Sequence, residues 1–195
     1  MLARTLKKLN PKAPNRLRII GGQWRGRKLN FPDGEGLRPT MDRVRETLFN
    51  WLQGEIADAR CLDLFSGSGA LGFEALSRFA SEVVMVDKNP QAVQMIRNNL
   101  SLLNADNAQV VQMDAQAYLQ QNHIGQFDIV FLDPPFNQAL VEPFCQLLQH
   151  SGCLSEQASV YIEMEKDLVL KELPGHWQIQ KYKIAGQLSY YLIYT

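Results

Sequence analysis

Three cysteines stand in 195 residues, Cys61, Cys145 and Cys153, with no Cys-x-x-Cys pair among them. That is too few for a disulfide scaffold and the wrong spacing for a thiolate metal site, so they read as reduced core thiols of a cytoplasmic protein. His123, His150 and His176 are isolated in the chain, with no partner at ligand spacing, and no metal is expected. No apolar run approaches the roughly 20 residues that span a bilayer, so no membrane association is expected. The opening stretch MLARTLKKLNPKAPNR is basic but has no apolar core, which argues against a secretory leader. Internal repeats are absent, and net charge is zero.

The zero conceals an asymmetry. Residues 1–45 hold 12 of the 20 Lys+Arg but only 3 of the 20 Asp+Glu, and the rest of the chain is correspondingly acidic. A basic arm on an acidic body suggests a polyanion held at one end. Hydrophobic residues make up 46% and charged residues 21%, the composition of a soluble globular domain.

Residues 1–17 form a basic segment rich in Lys, Arg, Asn and Pro, expected to be disordered when free. Residues 18–53 read as an extension: two short strands within RIIGGQWRGRKLNF (18–31), a Gly/Pro loop, and a helix capped by Thr40 that runs to about Gln53. From 54 to 195 strands and helices alternate. Apolar strand runs are expected at 61–65, 83–86, 109–113, 127–132, 159–164, 178–184 and 189–194. Helices are expected at 69–79, 90–103, 115–120 and 138–150. The alternation argues a parallel sheet covered on both faces, an α/β Rossmann-like architecture. Only Ala185 to Leu188 separate the last two runs, too few for a parallel crossover, so they should form an antiparallel hairpin.

CLDLFSGSGALGFEAL (61–76) is a strand, a glycine turn and a helix start, and Gly67, Gly69 and Gly72 spell GxGxxG. Asp87 ends the next strand 20 residues after Gly67, as in a dinucleotide fingerprint. Asp63 argues against a dinucleotide. A carboxylate beside the turn would repel a pyrophosphate, whereas the sulfonium and α-ammonium of S-adenosylmethionine would welcome it. Asp87 is then expected to accept from ribose hydroxyls, Asp114 after the third strand from the adenine amine, and Phe65 to wall the pocket. Three acids ending three successive strands are hard to reach by accident.

FDIVFLDPPF (127–136) is a buried strand stopped at Asp133-Pro134-Pro135-Phe136. The prolines make a stiff turn that presents an acid, a carbonyl and an aromatic ring. A nucleobase amine is a poor nucleophile because its lone pair is delocalised into the ring. Acceptors on its two N–H bonds pull it towards tetrahedral geometry. Asp133 and the Pro134 carbonyl can supply them, with Phe136 stacking on an unstacked base. Asp133 or solvent would take the departing proton.

These motifs together resemble the amino-directed class I methyltransferases. RIIGGQWRGRKL (18–29) followed by LRPTMDRVRETLFNWL (37–52) narrows the resemblance to the bacterial 16S ribosomal RNA guanine(966)-N2-methyltransferase family. The resemblance implies a seven-stranded sheet with a reversed last strand and S-adenosylmethionine as cofactor. It implies N2 methylation of a guanine in 16S ribosomal RNA, within the small subunit or an assembly intermediate of it; separately, the protein is expected to act as a monomer. Asp63, Gly67, Gly69 and Asp87 would hold the cofactor. Asp133, Pro134, Pro135 and Phe136 would hold the target amine, and Arg25, Arg27, Lys28, Arg38, Arg43 and Arg45 would meet phosphates. Trp24 is expected either to stack on RNA or to pack on the body. The competing readings are an adenine-N6 methyltransferase, a glutamine-amide methyltransferase, an NAD-dependent oxidoreductase and a non-catalytic RNA-binding protein.

Overall fold

The computed structural model describes residues 15–31, 41–136 and 138–195. A two-stranded antiparallel hairpin, β1 (Asn15–Arg18) and β2 (Lys28–Phe31), is followed by helix α1 (Asp42–Trp51). The body then runs β3 (Arg60–Asp63), α2 (Ala70–Ser77), β4 (Glu82–Asp87), α3 (Pro90–Leu103), β5 (Ala108–Gln112), α4 (Ala115–Leu119), β6 (Phe127–Leu132), α5 (Val141–Ser151), β7 (Leu154–Glu165), β8 (Gln178–Ala185) and β9 (Leu188–Tyr194).

The seven strands β3 to β9 form one sheet in the order β5-β4-β3-β6-β7-β9-β8. Strands β3 to β7 pair in parallel, while β9 lies antiparallel between β7 and β8. The expected class I methyltransferase topology with its reversed strand is therefore present. Strand order turns back at β3, which has β4 on one side and β6 on the other. The carboxyl ends of β3, β4 and β6 thus surround the crevice where open α/β sheets take ligands.

Successive side chains alternate across the sheet and divide the core in two. Leu48, Phe49, Phe73, Ile96 and Phe131 meet on one face beneath α1, α2 and α3. Val130, Tyr118, Phe144, Leu148 and Ile162 meet on the other beneath α4 and α5. Coverage on both faces holds for the central strands only. Edge strand β8 is exposed along almost its whole length, with Ile179, Tyr182 and Ile184 in solvent.

The hairpin is bound to the body through Glu74. This carboxylate is fully buried in α2 and accepts from the backbone N–H groups of Ile20 and Gly21 at 2.9 and 2.8 Å. Arg78 donates to it at 2.8 Å, and Arg45 stands 3.5 Å away. Gly22 has φ +71° and would set a Cβ 1.8 Å from the Ser77 carbonyl oxygen, so only glycine lets the turn lie this close to α2.

Several boundaries move. Strand β1 opens at Asn15, inside the segment expected to lack structure, because Leu17 pairs with Leu29 and both are buried. Helix α1 ends at Trp51 and has Met41 at its N-cap; Thr40 lies outside the described residues. Helix α5 starts at Val141 rather than 138, and β7 is twice as long as its apolar run, with a register shift between Phe127 and Ile129 where it meets β6.

Candidate active site

Asp63 ends β3 and is only 2% exposed. Its Oδ2 accepts from the Gly72 N–H at 3.1 Å, across the glycine turn. Burial pushes its carboxyl up to about 7, Asp87 adds to the rise, and the Gly72 and Phe65 N–H groups oppose it. Asp87 holds the same turn from β4, its Oδ2 accepting from Gly67 N–H and its Oδ1 from Asn89 N–H, both at 2.7 Å. The turn is built for close approach. Gly67 and Gly69 have φ +50° and +79°. A Cβ at Gly69 would come within 2.5 Å of the Phe73 ring, and one at Gly72 within 2.5 Å of Met85 Sδ.

The donor set fits S-adenosylmethionine. A buried acid strains to stay ionised, no cation is paired with it among the described residues, and a sulfonium or ammonium would relieve it. Phe65 is half-buried at the mouth and meets Phe144 edge to face, with ring centroids 5.0 Å apart. Asp114 is a helix cap: its Oδ1 accepts from Gln116 and Ala117 N–H at 2.9 and 3.3 Å. The residue itself is exposed at the end of β5.

The acceptor side begins two residues beyond β3's partner strand register. Asp63 pairs with Phe131 on β6, so Asp133 lies about 8 Å further along and across, from the strand rise and spacing. Asp133 is half-buried, Pro134 is buried, and Pro135 and Phe136 are exposed, Phe136 by 42%. The turn thus offers a ring to solvent on a rigid backbone. A cleft of about 280 Å³ opens beside it, lined by Pro134, Pro135, Leu140, Val141, Glu163 and Met164 among others. Tyr161 on β7 packs beneath this flank, where burial and then the charges of Glu163 and Asp133 hold its hydroxyl protonated.

With this geometry in view, comparison with known proteins is decisive. A family model described as Conserved hypothetical protein 95 matches residues 17–194. The Ribosomal RNA small subunit methyltransferase D of Escherichia coli (strain K12) is 48% identical over 187 residues, 96% of this chain and 94% of that one. The chain belongs to this family. Its Haemophilus influenzae relative of the same name is 44% identical over 96% of this chain and 98% of that one. Among solved structures of the family's fold, the Escherichia coli protein yhhF superposes with a TM-score of 0.86 at 46% identity, over 92% of this chain and 98% of that one. A hypothetical protein of Thermus thermophilus does so with 0.77 at 29% identity, over 90% and 98%. The fold is that of the class I S-adenosylmethionine-dependent methyltransferases.

The six cations expected to meet RNA in this methyltransferase fall into different places. Arg45 is a correction: it is 1% exposed, pairs with Asp42 at 2.7 Å, and donates to the Arg18 carbonyl at 2.9 Å. On α1 it faces inward with Val44 and Leu48, so it braces the hairpin and is shut off from phosphate. Arg43, two positions earlier, is exposed. Arg25, Arg27 and Lys28 are also exposed. The turn carrying Arg25 lies on Ser77, and Arg27 donates to the Leu102 carbonyl at 3.3 Å. Both contacts sit at the carboxyl ends of α2 and α3, the far end of α2 from the glycine turn, about 12 Å along the helix. Arg38 lies outside the described residues. Trp24 packs against the body, partly buried, its backbone N–H donating to Ser77 Oγ at 3.0 Å.

Glu163 was passed over in the sequence. The signal was there: an acid inside the apolar run SVYIEM, near the carboxyl end of a strand. Glu74, in the middle of an otherwise apolar helix, carried the same kind of signal for its structural role.

Proposed function

We propose that this chain transfers a methyl group to the exocyclic N2 amine of a guanine in 16S ribosomal RNA, at the position the family resemblance names, 966. The observation that supports it most is the adjacency of two stiff turns. The glycine turn after β3 and the Asp133-Pro-Pro-Phe136 turn after β6 leave neighbouring parallel strands in register, with Asp63 ending one strand and Asp133 following the other.

S-adenosylmethionine supplies the electrophilic methyl group. Asp63 and the backbone of Gly67 and Gly69 hold the charged end of that cofactor, Asp87 its ribose, and Asp114 its adenine. Asp133 Oδ and the Pro134 carbonyl accept from the two N2–H bonds of guanine and so localise the nitrogen lone pair. Phe136, already in solvent, stacks on the flipped base. Asp133 is placed to receive the proton that the methylated amine gives up, or to pass it to water. Proximity and orientation then supply much of the rate.

Phosphate contacts position the RNA without choosing a base. Arg43 on the exposed side of α1 and Lys28 on β2 serve this role, together with Arg38. Arg25 and Arg27, at the carboxyl ends of α2 and α3, engage RNA that extends along that side of the hairpin. The substrate is the small subunit or an assembly intermediate, bound by a monomer through the hairpin and α1, an extension spanning residues 18–53.

The reading is tested by methyl transfer from labelled S-adenosylmethionine to small ribosomal subunits that lack the modification, followed by digestion to nucleosides. Label in N2-methylguanosine is expected. Label in N6-methyladenosine would overturn the choice of base while leaving the chemistry of the two turns in place.

A further inference from the structure

The cleft beside the Asp133 turn holds a second carboxylate that the reaction above does not use. Glu163 lies near the end of β7, two residues past Tyr161, and so on the same face. Since Tyr161 pairs with Phe131, continuing that register brings Glu163 beside Asp133. Glu163 is 3% exposed. Its Oε2 accepts from the Tyr161 hydroxyl at 2.8 Å, which fixes the carboxylate. Its Oε1 receives no hydrogen bond from the described residues. Glu163 lines the cleft, and Oε1 is the oxygen that the Tyr161 hydroxyl leaves unengaged. Among the described residues Glu163 forms no ion pair.

A buried, oriented carboxylate with one open oxygen is half of an interaction. Its partner must bring an N–H or O–H donor. The described lining of the cleft is otherwise acidic, with Glu142, Glu165 and Asp167 along it against Lys171, which disfavours a phosphate and favours an uncharged group. About 280 Å³ accommodates one planar base. On the pairing edge of guanine, the N1–H lies next to the N2 amine, and both donate. On adenine the atom next to the amine is N1 itself, an acceptor that a carboxylate repels.

We propose that Glu163 Oε1 accepts the N1–H of the target base and so admits guanine while turning adenine away. The proposal rests on the reading of the acceptor as a guanine amine. Tyr161 is the positioning residue behind it, and burial, which pushes the Glu163 carboxyl up to about 7 against the Tyr161 hydrogen bond, marks a group that gains by meeting a donor.

The test uses small subunits carrying either guanine or 2-aminopurine at the target nucleotide. 2-Aminopurine keeps the C2 amine but has an acceptor at N1. The wild type is expected to prefer guanine by at least about tenfold in kcat/KM, the scale of one good base contact. Glu163→Gln is expected to lower guanine methylation by about ten- to a hundredfold and 2-aminopurine methylation by less than about twofold, with S-adenosylhomocysteine affinity unchanged. Equal losses on the two bases would overturn the proposal, as would a wild type indifferent to them. Should Glu163→Gln fail to fold, Glu163→Asp withdraws the acid by one methylene and is expected to narrow the same ratio. A wild type that labels adenine instead of guanine overturns the underlying reading first, before any variant is made.

Discussion

The two flanks of the crevice hold their acids in different ways. On the β3–β4 flank, Asp63 and Asp87 are tied to backbone N–H groups of Gly72, Gly67 and Asn89, so the acids and the turn shape one another. On the β6–β7 flank, Asp133 is held by a proline turn, and Glu163 by a tyrosine hydroxyl. The first arrangement leaves little freedom, since moving a carboxylate strands an amide. On the second, Glu163 keeps one carboxylate oxygen that the tyrosine hydroxyl does not engage. Binding and folding should therefore be inseparable on the first flank and separable from chemistry on the second.

Asp133→Ala tests the separability most severely. Loss of one preorganised contact to a reacting centre costs about 10²- to 10³-fold in rate. Methyl transfer should fall by that much, while calorimetry finds S-adenosylhomocysteine affinity within about twofold of the wild type. A parallel loss of cofactor affinity would erase the distinction between the flanks.

Gly69→Ala strikes the other flank. The new Cβ meets both a left-handed backbone and the Phe73 ring. A destabilisation of about 1–3 kcal/mol is expected, visible as a drop in melting temperature, together with loss of cofactor binding. A variant that melted like the wild type would show that the turn is looser than its contacts imply.

The pH dependence of Asp63 sharpens the picture. Its folded carboxyl sits near 7, above the ordinary value of 3.8, so folding disfavours the ionised form. The resulting cost to the unliganded protein is absent below the ordinary value and complete above about 7. A cationic ligand reverses the preference by selecting the ionised acid. S-adenosylhomocysteine, which keeps the α-ammonium, should bind with constant affinity above about 7 and ever more weakly below it, towards tenfold per pH unit. Asp63→Asn should bind weakly at pH 8 and flatten the profile. A wild-type affinity that is constant from pH 5 to 8 contradicts this.

The smallest expected effect lies outside both flanks. Removal of residues 1–14, which stops short of β1 and its buried Leu17, should leave the melting temperature unchanged and reduce RNA affinity at physiological salt, with a shallower dependence on salt. An unchanged slope would mean that the segment touches no phosphate.

Much of this molecule was legible in its sequence. Helix α3 at 90–103 and strand β6 at 127–132 fall where their apolar periods put them, because Asn89 caps one and proline stops the other. The glycine turn, the strand-end acids and the Asp-Pro-Pro-Phe turn were readable because each is a local device whose residues are adjacent in the chain. The errors came where partners are distant. Leu17 draws β1 three residues into the basic segment, and Arg45 is buried beside an exposed Arg43.

The chain by itself determined the order of its elements, the sheet they build and the two turns that make the crevice, since short-range periodicity and backbone restriction encode these. Only the tertiary structure decided which cation is solvent and which is brace, and that Glu163 stands beside Asp133. Burial and cross-strand register depend on residues dozens of positions apart, and no local pattern records them.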